Sequence, residues 1–394
     1  MRSFANLDLS GKRVLLRADL NVPANDGVIE DFARINRLKP TIELLKSKGA
    51  KIILASHFGR PDGKKTPEFS MKFMAPVLEK TYATPVHFCE EISESTVKLS
   101  KELGDKEILL LENLRFYPGE EKNDPEFAKL LAQYADIYIN DAFACCHRAH
   151  ASIVAITKCL PAYAGLLLFE EVHNLKLMLA HDTRPLMAII GGKKVSTKFK
   201  VLAFMDKTCD YLAICGAMAN TMLAAKGLNM QGSYYEPELV EDAKKFLSSA
   251  RSKIILPVDA VVATKVGEEF VDPKVCQIAD VPANACILDV GPDTSGLVNT
   301  LLVGCKTVLW NGPFGMFEDE RFSKATRSVA DRIAQLTEHG AIVSIAGGGD
   351  TVAALTQFEL TDKLTYISTA GGAFLEWLES GTLPGIEALN IAWT

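Results

Sequence analysis

The strand-like segments of this chain do not alternate. RVLLR (13–17), KIILA (51–55), ILLL (108–111), IYI (137–139) and LMAII (186–190) are apolar in consecutive positions, as are YLAIC (211–215), KIILPVDAVV (253–262), TVLW (307–310), AIVSI (341–345) and LTYI (364–367). Side chains of a strand point to opposite faces in turn, so a run that is apolar throughout is covered on both faces. Helical patterns separate the runs, and a crossover helix is how parallel neighbours are joined. The helix from Asp31 to Gly49 carries Ile35, Leu38, Ile42 and Leu45 on one face, with Asp31 as its cap. A helix from Lys194 to about Asp206 carries Val195, Phe199 and Leu202, and one from Phe374 to Ser380 stops at Gly381. The expected fold class is α/β, with two doubly wound parallel-sheet (Rossmann-like) domains joined by a hinge helix.

A chain of 394 residues exceeds what one core usually serves, and 48% apolar with 23% charged residues is ordinary globular composition. The boundary is expected near 165–182, where Leu166 to Ala180 reads as a helix that joins the lobes and Pro185 precedes a new strand. A net charge of −6 argues against a nucleic-acid partner. The first residues lack the apolar core of a signal peptide, and no run reaches the ~20 apolar residues of a membrane span. Nine cysteines without scaffold spacing read as reduced thiols, so the expected location is cytoplasmic.

Open α/β sheets bind ligands beyond the carboxyl ends of their strands. In the first half those ends carry cations and polar groups: Asp19 and Asn21; His57 and Arg60; Glu112, Asn113 and Arg115; Asn140, Asp141, His147 and Arg148. Arginine forks match carboxylate and phosphate oxygens, so this end of the sheet is an anion site. Arg34, in the first turn of a helix, opposes the helix dipole unless an anion lies nearby. In the second half the ends carry glycines: Gly191 and Gly192, Gly216, Gly312 before Pro313, Gly347 to Gly349, Gly371 and Gly372. Glycine lets backbone amides approach a phosphate, and the helix start that follows favours negative charge. Lys194 and Lys198, four apart, are expected on one helical face, at a positive helix end that calls for polyphosphate. Asp350, at a glycine-rich helix start, suits Mg²⁺ through oxygen ligands.

No GxxxxGK[ST] is present and no GxGxxG follows the first strand, which argues against a P-loop enzyme or a nicotinamide-dependent dehydrogenase. A non-catalytic binding protein for phosphorylated acids leaves the second, glycine-lined site unexplained. Cys145, Cys146, His147 and His150 crowd like half a metal site, but no matching half exists elsewhere in the sequence.

RADLNVP (17–23), SHFGRP (56–61), LLENLRF (110–116), YINDAF with HRAHAS (138–152), GGKKVSTK (191–198), NGPFGMFE (311–318), GGGDT (347–351) and STAGGAFLEWLESGTLPGIEAL (368–389) appear in this order. The chain thereby resembles the phosphoglycerate kinase family over nearly its whole length. The departures are Ala144-Cys145-Cys146, where Gly-Thr-Ala character is usual, Lys193 in place of a small residue, and Cys215-Gly216-Ala217 in place of a more glycine-rich turn. The resemblance implies a monomeric, hinge-bending glycolytic kinase that interconverts 1,3-bisphosphoglycerate plus ADP with 3-phosphoglycerate plus ATP. It implies that Asp19, Asn21, Arg34, His57, Arg60, Arg115 and Arg148 hold the acid. Gly192, Lys198, Asn311, Pro313, Glu318, Gly347, Gly348, Gly349, Asp350 and Thr351 would hold the nucleotide, with Asp350 on Mg²⁺. Arg34, Lys194, Gly371 and Gly372 would stabilise the transferring phosphoryl group. The implied domains are 1–168 for the acid and 169–375 for the nucleotide, with 376–394 packing back on the first.

Overall fold

The computed structural model describes residues 2–25, 27–179, 183–368 and 370–391, with only the backbone of Met178, Leu179 and Ile391. Ala180, at the expected end of the joining helix, and Thr369, in the last glycine-bearing turn, lie outside the described residues. The chain divides into two compact units, Met1–Val172 with Thr382–Thr394, and His173–Gly381. The first division falls inside the helix Leu166–Leu179.

The first unit contains β1 (Arg13–Arg17), a short hairpin of β2 (Ala24–Asn25) and β3 (Val28–Ile29), then β4 (Lys51–Ala55), β5 (Val86–Cys89), β6 (Ile108–Leu111), β7 (Ile137–Asn140) and β8 (Ala162–Ala164). Six strands form one sheet in the order β5-β6-β4-β1-β7-β8, every pairing parallel. Val14, Leu16, Ile52, Leu54, Ile108 and Leu110 pack against Ile35, Leu38, Ile42 and Leu45 of the helix Ala33–Ser47. Leu15, Ile53 and Leu109 are equally buried on the opposite face. This is the two-sided burial that the missing alternation requires. Register places Arg17 beside Ala55 on one side and Asn140 on the other, so the residues after these strands emerge together.

The second unit contains β9 (Leu186–Ile190), β10 (Tyr211–Ile214), β11 (Lys253–Ile255), β12 (Asp259–Val266), β13 (Glu269–Gln277), β14 (Ala285–Val290), β15 (Thr307–Asn311), β16 (Val343–Gly347) and β17 (Tyr366–Ser368). Its main sheet runs β11-β10-β9-β15-β16-β17, again parallel throughout. Met187, Ile189, Val308 and Trp310 meet Val329 and Ile333 of the helix Lys324–Glu338 on one face. Ala188, Ile190 and Leu309 fill the other.

Residues 253–262, expected as one strand, are two. The parallel strand stops at Ile255, before Pro257, which has no N–H for a ladder. Asp259 then starts a separate antiparallel sheet, β13-β12-β14, over a satellite core of Leu223, Met230, Ala260, Val262 and Ile278. The Asp259 carboxylate accepts the Asp293 and Thr294 N–H groups at 2.9 and 2.8 Å, which caps the helix Pro292–Leu302. The last two strands start two residues later than expected, at Val343 and Tyr366.

The helix expected from Lys194 begins only at Phe199, with Lys198 as its cap, so Lys194 and Lys198 do not share a helical face. Glu236 causes this. Its carboxylate accepts the Ser196 N–H at 3.0 Å and the Ser196 hydroxyl, and the Lys198 N–H turns back to the Val195 carbonyl.

The carboxyl ends of β9 and β15 approach so closely that only glycine fits. Gly312 has φ 109°, and a Cβ there would lie 2.1 Å from the Gly191 carbonyl oxygen. Gly340, at φ 66°, faces open space. Gly312→Ala is expected to cost more than about 3 kcal/mol of unfolding free energy and Gly340→Ala about 1 kcal/mol. Urea unfolding followed by circular dichroism checks this, and equal losses at the two positions would deny that the Gly191 contact matters.

Candidate functional site

In the first unit, Asp19, Asn21, Arg34 and Arg115 form one connected group, and a ring nitrogen of His57 lies within 4.8 Å of the Asp19 carboxylate. Arg34 pairs with the Asp19 carboxylate at 3.0 Å and also donates to the Asn21 carbonyl. It can do so because the Asp31 carboxylate accepts the Ala33 N–H at 2.8 Å and fixes the helix start. The Asn21 side-chain oxygen accepts the Gly59 N–H at 2.9 Å, and the Gly59 carbonyl accepts Arg115 Nη1 at 2.8 Å. Asn113 holds the loop between: its amide donates to Phe58 and Phe69 carbonyls at 2.6 and 2.9 Å, and its oxygen accepts the Arg115 N–H at 3.0 Å. Arg60 and Arg148 stand exposed beside this group. The charge of Arg148 acts on His150, whereas Arg60 is placed only by following Gly59.

Beneath the loop lies a buried polar chain that the sequence reading did not single out. Glu120, fully buried, accepts the Ser152 hydroxyl at 2.6 Å and the Ser152 N–H at 3.0 Å. Ser152 Oγ in turn accepts Nε of Arg17 at 2.9 Å. The available signal was a lone charge closing the apolar run RVLLR. Burial, with Arg17, Arg115, His150 and Arg34 adding to it, holds His57 well below the usual histidine range. Burial and the surrounding cations bring His150 down to about 4. Both rings are therefore neutral near pH 7, and the positive charge of the site belongs to arginines.

Cys145, Cys146, His147 and His150 do not converge. Cys146 Sγ turns to Asn140 and to the Ala142 carbonyl, and His150 Nδ1 lies 3.7 Å from Glu120. All nine cysteines are free thiols. Among the described residues, the single group with metal-ligand spacing is Asp19, His57 and Cys145.

In the second unit, Lys198 is folded onto the strand ends. Its ammonium donates to Asn311 Oδ1 at 2.7 Å, to the Asn311 carbonyl at 3.2 Å and to the Gly191 carbonyl. Burial lowers its pKa, against the opposing pull of Cys215 and Asp350. Asn311 Nδ2 donates to the Gly347 carbonyl at 2.7 Å, and Thr351 Oγ1 accepts the Gly312 N–H at 2.6 Å. Asn311 and Thr351 are 1% exposed, and Pro313 is buried with its carbonyl against Gly191. Gly192 accepts the Met218 N–H at 2.9 Å. Glu318 and Lys194 are exposed.

Among the described residues, three helices that follow strands of the main parallel sheet start at glycines: Gly216 before Ala217–Ala225, Gly348 before Gly349–Gln357, and Gly371 before Gly372–Ser380. All three glycines have positive φ, at 67°, 97° and 52°. Asp350 is exposed in the first turn of the second helix. A cavity of about 640 Å³ opens between the second and third, lined by Gly348, Gly349, Val352, Thr356, Ser368 and Gly371. Unpaired N–H groups of helix starts suit phosphate oxygens, and the exposed Asp350 carboxylate suits a divalent cation beside them. A larger cavity, about 880 Å³, lies among Phe58, Phe73, Phe88 and Phe116 of the first unit. Of its two lysines, Lys72 pairs with the Glu90 carboxylate at 2.7 Å and Lys65 donates to the Glu90 carbonyl at 2.9 Å.

Residues 4–381 match the family described as phosphoglycerate kinase. Similar relatives include the phosphoglycerate kinases of Granulibacter bethesdensis, 48% identical over 99% of both chains, and of a Chelativorans species, 50% identical over 97% of both. Among solved structures, phosphoglycerate kinase from Coxiella burnetii superposes with a TM-score of 0.91 at 40% identity, covering 99% of this chain and 98% of that one. The Pyrococcus horikoshii enzyme gives 0.81 at 29% identity, covering 100% and 99%.

Neutral His150 has a measurable consequence. In the folded protein it takes up its proton only near pH 4, against about 6.5 when unfolded. Between these values the unfolded chain binds more protons, so stability is lost as pH falls through that window. His150→Gln is expected to flatten this part of the stability curve. Urea midpoints measured across the window test it, and an unchanged slope would place the acid sensitivity elsewhere.

Proposed function

The chain belongs to the phosphoglycerate kinase family, and from that premise we propose that it transfers a phosphoryl group reversibly between ATP and 3-phosphoglycerate, forming ADP and 1,3-bisphosphoglycerate. The observation that carries this reading is the chain of contacts from Arg34 through Asp19, Asn21 and Gly59 to Arg115, a preformed cationic face at the carboxyl ends of β1, β4 and β6. On this reading Asp19, Asn21, Arg34, His57, Arg60, Arg115 and Arg148 hold the acid. Gly192, Lys198, Asn311, Pro313, Glu318 and the 347–351 segment hold the nucleotide. Asn311 and Thr351 do so by fixing the strand ends, since their polar atoms are already engaged.

The carboxylate oxygen of 3-phosphoglycerate attacks the γ-phosphorus, and the bond from that phosphorus to the ADP oxygen breaks. The nucleophile is already ionised, so no general base is needed. Rate enhancement comes from alignment and from charge placed around a loose phosphoryl transition state. Arg34, Lys194 and the helix start at Gly371 and Gly372 supply that charge. Asp350 is the residue that would hold Mg²⁺, which neutralises phosphate charge when bound. Acid and nucleotide bind to different units, so turnover requires closure about the helix Leu166–Leu179, and closure expels water. The protein acts as a cytoplasmic monomer on small molecules, without nucleic-acid or membrane partners. No helix among the described residues is long and apolar enough to cross a membrane.

A coupled assay with ATP and 3-phosphoglycerate tests the activity directly, and the absence of turnover would end this reading. Lys194→Ala and Arg34→Ala are each expected to cut kcat by roughly 100-fold, the first with little change in KM for the acid. Near-normal kcat would remove either residue from the phosphoryl step. Small-angle scattering is expected to show compaction when both substrates are bound and little with either alone. A fully compact free enzyme would refute closure.

A further inference from the structure

Every nitrogen of the Arg17 side chain, 1% exposed at the end of β1, has a partner in the interior of the first unit. Nε donates to Ser152 Oγ at 2.9 Å, Nη1 to the Ala18 carbonyl, and Nη2 lies 3.2 Å from His57 Nδ1 and 3.7 Å from Cys145 Sγ. A guanidinium has five N–H donors and no acceptor. In the Nη2–Nδ1 contact the imidazole must therefore offer its lone pair at Nδ1. A neutral ring has one proton, and it is left at Nε2. A second proton at Nδ1 would set N–H against N–H and place two cations 3.2 Å apart.

We propose that Arg17 is a positioning residue: by donating to Nδ1 it holds His57 as the neutral Nε2–H tautomer, so that His57 meets the acid substrate as an uncharged hydrogen-bond donor. The second half of the proposal rests on the reading of His57 as an acid-binding residue, whereas the tautomer stands on geometry alone. Burial and the neighbouring Arg17, Arg115, His150 and Arg34 all keep this ring neutral. Asp19, whose carboxylate could favour a protonated ring, is paired with Arg34 at 3.0 Å. The same geometry explains the grouping of Asp19, His57 and Cys145. Nη2 of Arg17 stands within reach of both Nδ1 and Sγ, so the cation of that group is the guanidinium. Its counter-charge is Glu120, relayed through the Ser152 hydroxyl.

Two-bond ¹H–¹⁵N correlation spectra of the full-length protein read the tautomer without any variant. His57 is recognised among seven histidines as the signal set lost in His57→Gln. The expected result is a protonated Nε2 and a bare Nδ1, unchanged from about pH 8 to about pH 6. A proton on Nδ1, or a ring that titrates in that range, overturns the proposal. Adding 3-phosphoglycerate is expected to shift the Nε2–H signal. No shift, with the tautomer intact, overturns the role in acid binding and leaves the tautomer assignment upheld. In Arg17→Met, with the donor to Nδ1 gone, His57 is expected to lose its fixed tautomer and carry its proton on Nδ1 in part of the population. KM for the acid should rise roughly tenfold, with kcat changed much less. A folded Arg17→Met protein whose His57 keeps the parent tautomer also overturns it. If that variant does not fold, the parent spectrum alone decides.

Discussion

A parallel strand covered by helices on both faces has nowhere along its length to carry charge. In both units the strand bodies are therefore apolar, and the polar chemistry is pushed to the carboxyl ends, where loops leave with unpaired amides and carbonyls. Those loops must be held with donors and acceptors at once. An asparagine in each unit shows how. Asn113 takes two carbonyls and the Arg115 N–H, and Asn311 binds the Gly347 carbonyl while its oxygen holds the Lys198 ammonium. An amide can donate and accept in one plane, which a carboxylate or an ammonium cannot. The cations at each end are placed by these braces: Arg115 through its own backbone N–H, Lys198 through its amine.

On the proposed reading, the two ends solve anion recognition differently. In the first unit, formal charge comes from arginines, while the two histidines among them are kept neutral by burial and by those same arginines. Such a site keeps its charge across the physiological range, because no arginine titrates there. In the second unit, much of the positive potential is backbone, gathered where helices start at glycines. Backbone amides carry no net charge, so they do not repel one another as a cluster of lysines would.

The strands of both parallel sheets were legible because two-sided burial writes itself into composition: RVLLR, KIILA and LMAII can be little else. The order of the loops at the carboxyl ends was legible for the same reason, since each loop follows a recognisable strand. What stayed hidden depended on long-range partners. Glu236, about forty residues away, converts the expected helix start at Lys194 into a turn. Pro257 warned of a break inside 253–262, yet nothing local announced a separate antiparallel sheet. Edge strands such as Val86–Cys89 are too short and too mixed in polarity to stand out. Arg17 was overlooked because its strand reads as structural, and its importance appears only when Ser152, Cys145 and His57 arrive from elsewhere in the chain.

The sequence enters the first unit, leaves it at Val172 and returns at Thr382. The returning helix Pro384–Ile391 is seated by a bond from the Gly385 N–H to the Cys146 carbonyl at 2.9 Å, where a Cβ on Gly385 would meet Ile153 at 2.8 Å. On the ribosome this inverts the usual order. The unit begun first cannot be finished until the other has been entirely synthesised, so a nascent chain cut short before that helix carries a complete second unit and an unfinished first one.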